Sequence, residues 1–421
     1  MKVAVIGGGS TYTPELIDGF ARLADQVDIT EIVLVDPDQD RLGVVGPFSA
    51  RIMRGYGHRA AVRWTSDLDD GLDGAGAVLL QLRIGGQAAR HRDETWPHKC
   101  GCVGQETTGA GGFAKALRTV PVVLDIAERA RARALPDAWL IDFTNPVGIV
   151  TRALLDAGHR AIGLCNVAIG FQRIFAGMLG AEPERVSLGH VGLNHLTWER
   201  SVLLDGRDVL PELIASRGAD LADLVELPLW VIELTQSIPS YYLRYFYAHD
   251  KVVAEQLASP TRAEQVAEIE LELLAMYADP QRDRKPELLG QRGGAFYSEA
   301  AVALLASLVN DTGDTQVVNV RNNGTMPFLP DDAVIEVPSV IGRTGATPVG
   351  FAPLHPLMRG LTAHVSAYEE LAVEAARLGG RDRVLQAMLA HPLIGQYDKA
   401  EELTDLLLAE NAAFLPWAEG R

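Results

Sequence analysis

Five polar residues stand just past apolar runs, where a parallel α/β sheet presents ligands, and together they could do metal-assisted chemistry. Arg83 follows AVLLQL, Asn145 follows LIDFT, Cys165 and Asn166 follow AIGL, and His195 closes HVGLNH. In such sheets, ligands bind beyond the carboxyl ends of the strands. A thiol with an imidazole suits a borderline divalent ion such as Mn²⁺, Fe²⁺ or Co²⁺. Two protein ligands leave room for substrate oxygens, and the ion would then act as a Lewis acid. The plainer readings are a core thiol for Cys165 and a hydrogen-bonding structural histidine for His195. A structural zinc site wants about four ligands, and Cys100 and Cys102 lack its usual spacing.

Further along come Tyr241 and Tyr242 in SIPSYYLRYFY, Arg262 in SPTRAEQ, Arg292 before Gly293-Gly294, and Arg321 in NVRNNG. A tyrosine beside a metal and cations is a candidate general base, because those neighbours favour phenolate. Each arginine could offer its fork to a phosphate oxygen. The alternatives are core aromatic residues and solvated or structural arginines.

The start of the chain supplies a second kind of chemistry. VAVIGGGSTYTPEL places Gly7, Gly8 and Gly9 directly after an apolar strand and ahead of a helix. Glycine there lets backbone approach a pyrophosphate, and the helix N-terminus offers free N–H groups. Ser10 and Thr11 could add hydroxyl donors. EIVLVD then ends in Asp36, where a carboxylate takes the adenosine ribose hydroxyls. No arginine directly follows Asp36, which favours NAD over NADP. A merely tight β–α turn is the competing reading.

The elements needed to position these groups are visible as patterns. Strands are predicted at Lys2 to Ile6, Ile32 to Val35, Val62 to Thr65, Ala77 to Gln81, Leu140 to Phe143 and Ala161 to Cys165. Helices are predicted at Pro14 to Ala24, Arg41 to Met53, Leu117 to Ala134 and from Val147. This alternation predicts βαβ units and a parallel, Rossmann-type sheet over residues 1–189. Residues 190–421 read as a second, mixed α/β and helix-rich domain. It holds strands at Leu196 to Leu204, Val317 to Arg321 and Val334 to Val337, with helices at Thr261 to Tyr277, Glu299 to Asn310 and His364 to Leu378. No repeat or long linker separates the two halves.

The 421 residues and 48% hydrophobic composition are ample for a large core. A formal charge of −17 disfavours nucleic acid and anionic membranes as partners, though a pocket can be locally basic. Three cysteines imply no disulfide framework and fit a reducing compartment. With no cleavable apolar leader and no spanning segment, the expected location is the cytoplasm.

Taken in order, GGGSTYTPEL, the Arg83-Ile84-Gly85-Gly86 step, VGQETTGAGGF, TNPVGIVT, GLCNV, GLNHL, YLRYF, RGGAFYSE and NVRNNG resemble glycoside hydrolase family 4, nearest its 6-phospho-β-glucosidase branch. The resemblance runs from residue 3 to about residue 324. It implies a fold like that of lactate and malate dehydrogenases, NAD and a divalent metal, typically Mn²⁺, as cofactors, and a homodimer or homotetramer. By resemblance Cys165 and His195 match the metal ligands. Asn145 and Arg83 match active-site residues, Asn166 the asparagine after the cysteine, Tyr242 the base, and Arg262 an arginine near it. Tyr241 remains an alternative base. The family route implies hydride removal from C3, loss of the C2 proton, elimination of the aglycone, water addition and return of the hydride. The expected substrate is a phosphorylated disaccharide or β-glucoside. A non-phosphorylated glycoside, a 2-hydroxy acid dehydrogenase and a catalytically silent NAD-binding protein are the competing readings.

Overall fold

The computed structural model describes residues 1–294 and 296–418. Ala295 of the RGGAFYSE run and the last three residues of the expected second domain lie outside the described residues.

Six parallel strands form the first half of a 13-stranded sheet: β1 (Lys2–Ile6), β2 (Glu31–Val35), β3 (Ala61–Thr65), β4 (Ala77–Leu80), β5 (Trp139–Asp142) and β6 (Ala161–Gly163). Their order, β3-β2-β1-β4-β5-β6, is that of a doubly wound dinucleotide fold. Val3 to Val5, Ile32 to Leu34 and Ala77 to Leu80 have no solvent exposure, as helices covering both faces require. The helices Thr13–Arg22, Gln39–Gly55 and Val147–Asp156 meet the predicted positions within a few residues.

One helix departs from its pattern. It begins at Gly109, not Leu117, and runs to Arg133. The pattern marks a helix only from Leu117, because the glycines of GAGG are poor helix formers. Here the glycines are needed for contact. A Cβ on Gly111 would lie 2.3 Å from the Asp93 carbonyl oxygen, and one on Gly112 would lie 2.4 Å from the Thr107 backbone. Close approach outweighs propensity.

The sheet does not end at β6. β7 (Val186–Leu193), β8 (Leu196–Leu204), β9 (Arg207–Asp208), β10 (Ile238–Pro239), β11 (Asp314–Arg321), β12 (Val334–Gly342) and β13 (Gly345–Pro348) extend it through antiparallel pairs. The path continues β6-β11-β12-β7-β8-β10. The strand expected at Leu196 to Leu204 forms the second arm of a hairpin, with only Asn194 and His195 between paired Leu193 and Leu196. One hydrophobic core runs under the whole parallel half, and a smaller one gathers Phe171, Phe175, Leu213 and Ile232. Among the described residues, no helix is long and apolar enough to cross a membrane.

Candidate active site

At the carboxyl end of β1 the chain turns so tightly that side chains are excluded. A Cβ on Gly7 would lie 2.6 Å from the Gln81 carbonyl oxygen, and one on Gly8 would lie 2.7 Å from Leu34 Cβ. Gly7 also has φ 87°, which glycine adopts without strain. Both amides donate to the Val35 carbonyl at 2.9 Å. Asp36, at the end of β2, accepts from the amides of Gly9 and Asp38, each at 3.0 Å. Burial raises its pKa, partly offset by those two amides. Arg41 stands beside it, but its guanidinium reaches the Gly9 carbonyl at 3.0 Å and Glu270 at 3.5 Å. This is a cradle a dinucleotide fits: bare backbone at the pyrophosphate position and a carboxylate at the ribose position.

A cavity of about 970 Å³ leads from this turn to the carboxyl ends of β4, β5 and β6. Gly7, Ser10, Asp36, Arg83, Asn145, Asn166, His195, Tyr241, Tyr242, Arg262 and Arg292 all line it. Residues as distant in sequence as Gly7 and Arg292 thus share one space. Thr11 is turned inward: it is fully buried and its hydroxyl donates to Glu270 at 3.0 Å. Arg292 joins the same group, 2.6 Å from the Thr11 hydroxyl and 3.0 Å from Glu270. It lies on the glycine-turn side of the cavity. Arg262 is exposed at the rim, 2.6 Å from the Gln291 carbonyl.

Arg321 is not brought to the cavity lining. β11 runs antiparallel to β6, with Asn319 opposite Gly163. Two residues further on, the strand has moved away from the carboxyl edge. There Arg321 pairs with Asp156 at 2.7 Å, at the far end of the helix Val147–Asp156. Its charge is neutralised where the ligand edge is absent.

Several lining residues escaped the sequence reading. Glu106 is buried among Arg83, Arg90 (3.1 Å) and Lys115 (2.7 Å). Burial opposes its charge, but these three cations hold its carboxyl well below the usual range. Burial, against the pull of Glu106, lowers Lys115 to about 8. The run VGQETTGAGGF contains Glu106, and Lys115 stands two residues after it, but nothing local marked either as a cavity residue. Glu270 sits mid-helix in IELELL, a pattern indistinguishable from a solvated face.

The metal candidates come from neighbouring strand ends. His195 follows β7 in the hairpin turn with φ 60°. Its Nδ1 is 2.9 Å from the Thr107 hydroxyl. Burial lowers its pKa to about 4, so the ring is neutral and a nitrogen lone pair is available. Cys165 lies behind the lining. The Val167 amide, the Asn194 side chain and the Tyr297 hydroxyl are its polar neighbours, and burial, then the charge of Glu336, raises its pKa. Asn145 Oδ1 is buried without a hydrogen-bond partner. Among the described residues, no three His, Cys, Asp or Glu side chains converge as a closed metal cluster. A neutral imidazole, a buried thiol and an orphaned carboxamide oxygen fit a borderline divalent ion with an open coordination sphere.

The two tyrosines separate cleanly. The Tyr242 ring stacks on His195, with centroids 3.7 Å apart and planes 5° apart. Tyr241 is 37% exposed and its hydroxyl lies 3.1 Å from that of Tyr245. Burial, then the neighbouring tyrosines and Cys165, holds the Tyr242 phenol well above its ordinary value. Arg90 is the nearby cation that opposes this.

The doubly wound sheet, the glycine cradle and the polar far wall define an α/β protein of the dinucleotide-binding kind with a large polar cavity beside its cradle. Models of "Family 4 glycosyl hydrolase" and "Family 4 glycosyl hydrolase C-terminal domain" match residues 2–181 and 190–394. The chain belongs to this family of glycoside hydrolases. A protein of Bacillus subtilis described as "Probable 6-phospho-beta-glucosidase" is 38% identical, over 99% of this chain and 97% of its own. The 6-phospho-β-glucosidase of Thermotoga maritima, solved with manganese, NAD⁺ and glucose-6-phosphate, superposes with a TM-score of 0.93 at 34% identity, covering 99% of each chain. Malate dehydrogenase of Salinibacter ruber shares the fold alone, at TM-score 0.54 and 17% identity, over 91% of this chain and 99% of its own.

Proposed function

We propose that this chain hydrolyses 6-phospho-β-glucosides, such as a phosphorylated disaccharide, with NAD and a divalent metal, Mn²⁺, as cofactors. The observation that carries the reading is the half-buried Tyr242 ring stacked on His195 in a cavity continuous with the glycine cradle. Residues 1–189 hold the nucleotide and residues 190–421 complete the metal and sugar site.

Direct displacement at an anomeric carbon needs a poised carboxyl pair. The lining carboxylates do not offer one. Glu106 is held ionised by three cations, Glu270 is lowered by Arg292 and Arg41 despite burial, and Asp36 is engaged at the ribose end. When bound, NAD and the metal supply transient oxidation at C3 and polarisation of the resulting carbonyl. Cys165 and His195 hold the metal. Asn145 and Asn166 orient the sugar hydroxyls. Tyr242 Oη takes the proton from C2 as the phenolate, a form that Arg90 and a bound cation would favour against burial; the C1–oxygen bond then breaks, the aglycone oxygen taking a proton from water, and water adds at C1 as a proton returns to C2. Arg90 supplies positive charge toward that hydroxyl, Arg83 lines the same cavity, and Glu106 fixes both guanidiniums. Arg262 closes the rim and Arg292 braces the nucleotide side. Assembly as a homodimer or homotetramer in the cytoplasm belongs to the same reading.

The test is a panel of phosphorylated and neutral gluco- and galactosides, compared by kcat/KM. The 6-phospho-β-glucoside should be preferred, and equal turnover of neutral sugars would overturn the phosphate assignment. In D₂O the released sugar should carry deuterium at C2, which direct displacement would leave out.

A further inference from the structure

Cys165 and His195 follow β6 and β7, which are not neighbours: β11 and β12 lie between them. The span between the two ligands is therefore set across four strands. A buried polar row crosses the sheet at that level. Gly163 of β6 stands opposite Asn319 of β11, Asn319 opposite Glu336 of β12, and Glu336 opposite Gly192 of β7. His190 of β7 stands opposite Glu199 of β8.

These side chains are almost wholly removed from water: Asn319 and Glu199 are 0% exposed, His190 and Glu336 1%. His190 lies between two carboxylates, its Nδ1 2.5 Å from Glu199 Oε1 and its Nε2 2.9 Å from Glu336 Oε1. The other oxygen of Glu336 accepts from Asn319 at 2.9 Å and from Asn194 at 2.8 Å. Asn194 is the residue before His195 in the two-residue turn, its side chain is held by Glu336 at 2.8 Å, and it is a polar neighbour of the Cys165 thiol. One carboxamide thus ties a buried carboxylate to the turn that carries His195.

An apolar row would pack this region without the desolvation cost of two carboxylates and an imidazolium. What the polar row adds is directional hydrogen bonding, which apolar packing lacks. Groups behind the ligands of a metal commonly fix ligand orientation in this way.

We propose that Glu336 and Asn194 are positioning residues for the divalent metal, the Glu199–His190–Glu336 row acting as a strut that holds Cys165 and His195 at ligating separation. The proposal rests on the metal reading above. Neither residue touches substrate in this scheme. They act through the hydrogen bonds of Glu336, to Asn194 in the turn carrying His195 and to Asn319 opposite Gly163, two residues before Cys165.

The test uses the full chain stripped of metal by chelation. Mn²⁺ affinity is measured by titration, and Co²⁺ substitution reads the thiolate-to-metal charge-transfer band. E336Q and N194A should each weaken Mn²⁺ binding by about 10–100-fold and diminish or shift that band, with NAD affinity unchanged. C165S should lose the band altogether. If E336Q and N194A bind NAD, Mn²⁺ and Co²⁺ as the unaltered chain does while C165S fails, the strut is refuted and the metal site stands. If C165S also binds Mn²⁺ with full affinity, the metal reading falls and the strut with it. Should E336Q not fold, N194A decides, because it leaves both ion pairs of His190 in place.

Discussion

The two ends of the cavity are built in opposite ways. The nucleotide end is made by contiguous chain: three glycines, a helix start and one carboxylate at the next strand end. Its shape comes from the absence of side chains at Gly7 and Gly8, and its one charged group is the Asp36 carboxylate. The sugar end is made by side chains from β5, β6, the β7–β8 hairpin and the segment around Tyr242, with a polar row behind them. A backbone site tolerates change wherever the turn survives. A side-chain site depends on strand register and on the fate of each buried charge. The nucleotide end should therefore lose binding gradually, and the sugar end should lose chemistry abruptly.

The largest effect should come from the metal ligands. Cys165→Ser and His195→Ala are expected to remove nearly all Mn²⁺-dependent turnover, since Lewis-acid stabilisation is worth several kcal/mol. Metal titration alongside steady-state kinetics checks this. Wild-type affinity and rate in both variants would erase the contrast between the two ends.

Tyr242→Phe comes next. The ring still packs on His195 and only the hydroxyl is lost, so NAD binding should persist while kcat falls roughly 10²–10⁴-fold. Tyr241→Phe should cost far less, because its hydroxyl bonds to Tyr245 in a half-exposed position. Equal losses in the two variants would mean that the stack does not mark the base.

The polar row makes the sugar end sensitive to pH in a way the glycine cradle is not. Burial disfavours the His190 charge, but Glu199 and Glu336 outweigh it and raise the pKa to about 10. An unfolded histidine titrates near ~6.5. The imidazolium's contribution to stability is thus fully present below about pH 6.5 and is lost as pH rises toward about 10. Glu336 has the opposite sign: burial opposes its charge, but its hydrogen bonds and His190 lower its pKa, so its contribution is lost as pH falls below the ordinary glutamate range. Denaturant unfolding of the metal-free protein should show a loss of stability from neutral to alkaline pH. His190→Gln should flatten that limb and destabilise by on the order of 3–5 kcal/mol, as breaking a buried pair does. An unchanged alkaline limb in His190→Gln would assign the loss elsewhere.

The smallest effect separates two arginines that look alike in sequence. Arg321→Ala should leave KM for a phosphorylated glucoside within about twofold, because surface substitutions of this kind cost little and its partners are Asp156 and the Asp332 backbone. Arg292→Ala should raise the NAD requirement, since it removes the group that braces Ser10, Thr11 and Glu270. A large KM change with Arg321→Ala would return that residue to the phosphate.

NVRNNG and QRGGAF are equally plausible anion sites as strings, with an arginine beside turn residues in each. Only the direction of β11 relative to β6 carries one away from the ligand edge. Glu336 shows a missed signal. It interrupts the apolar run AVIEVPSVI in a strand buried on both faces, and a charge there must have a partner. His190 in GHVGL carried the same signal. Glu270 carried none, because a glutamate on a long helix is ordinary until its neighbours are known.

The sequence alone determined the parallel α/β half, the glycine turn, the ribose carboxylate and the strand-end positions of Arg83, Asn145, Cys165 and His195. These depend on periodicity and turn chemistry within a few residues, where covalent connection already limits what the chain can do. Tertiary structure decided which tyrosine faces His195, that Glu106 gathers three cations, that Arg321 points elsewhere, and that a charged row spans the strands between Cys165 and His195. Those facts depend on pairing between distant segments, as between His190 and Glu336, 146 residues apart. Local pattern cannot reach them, because register and burial are properties of the assembled sheet.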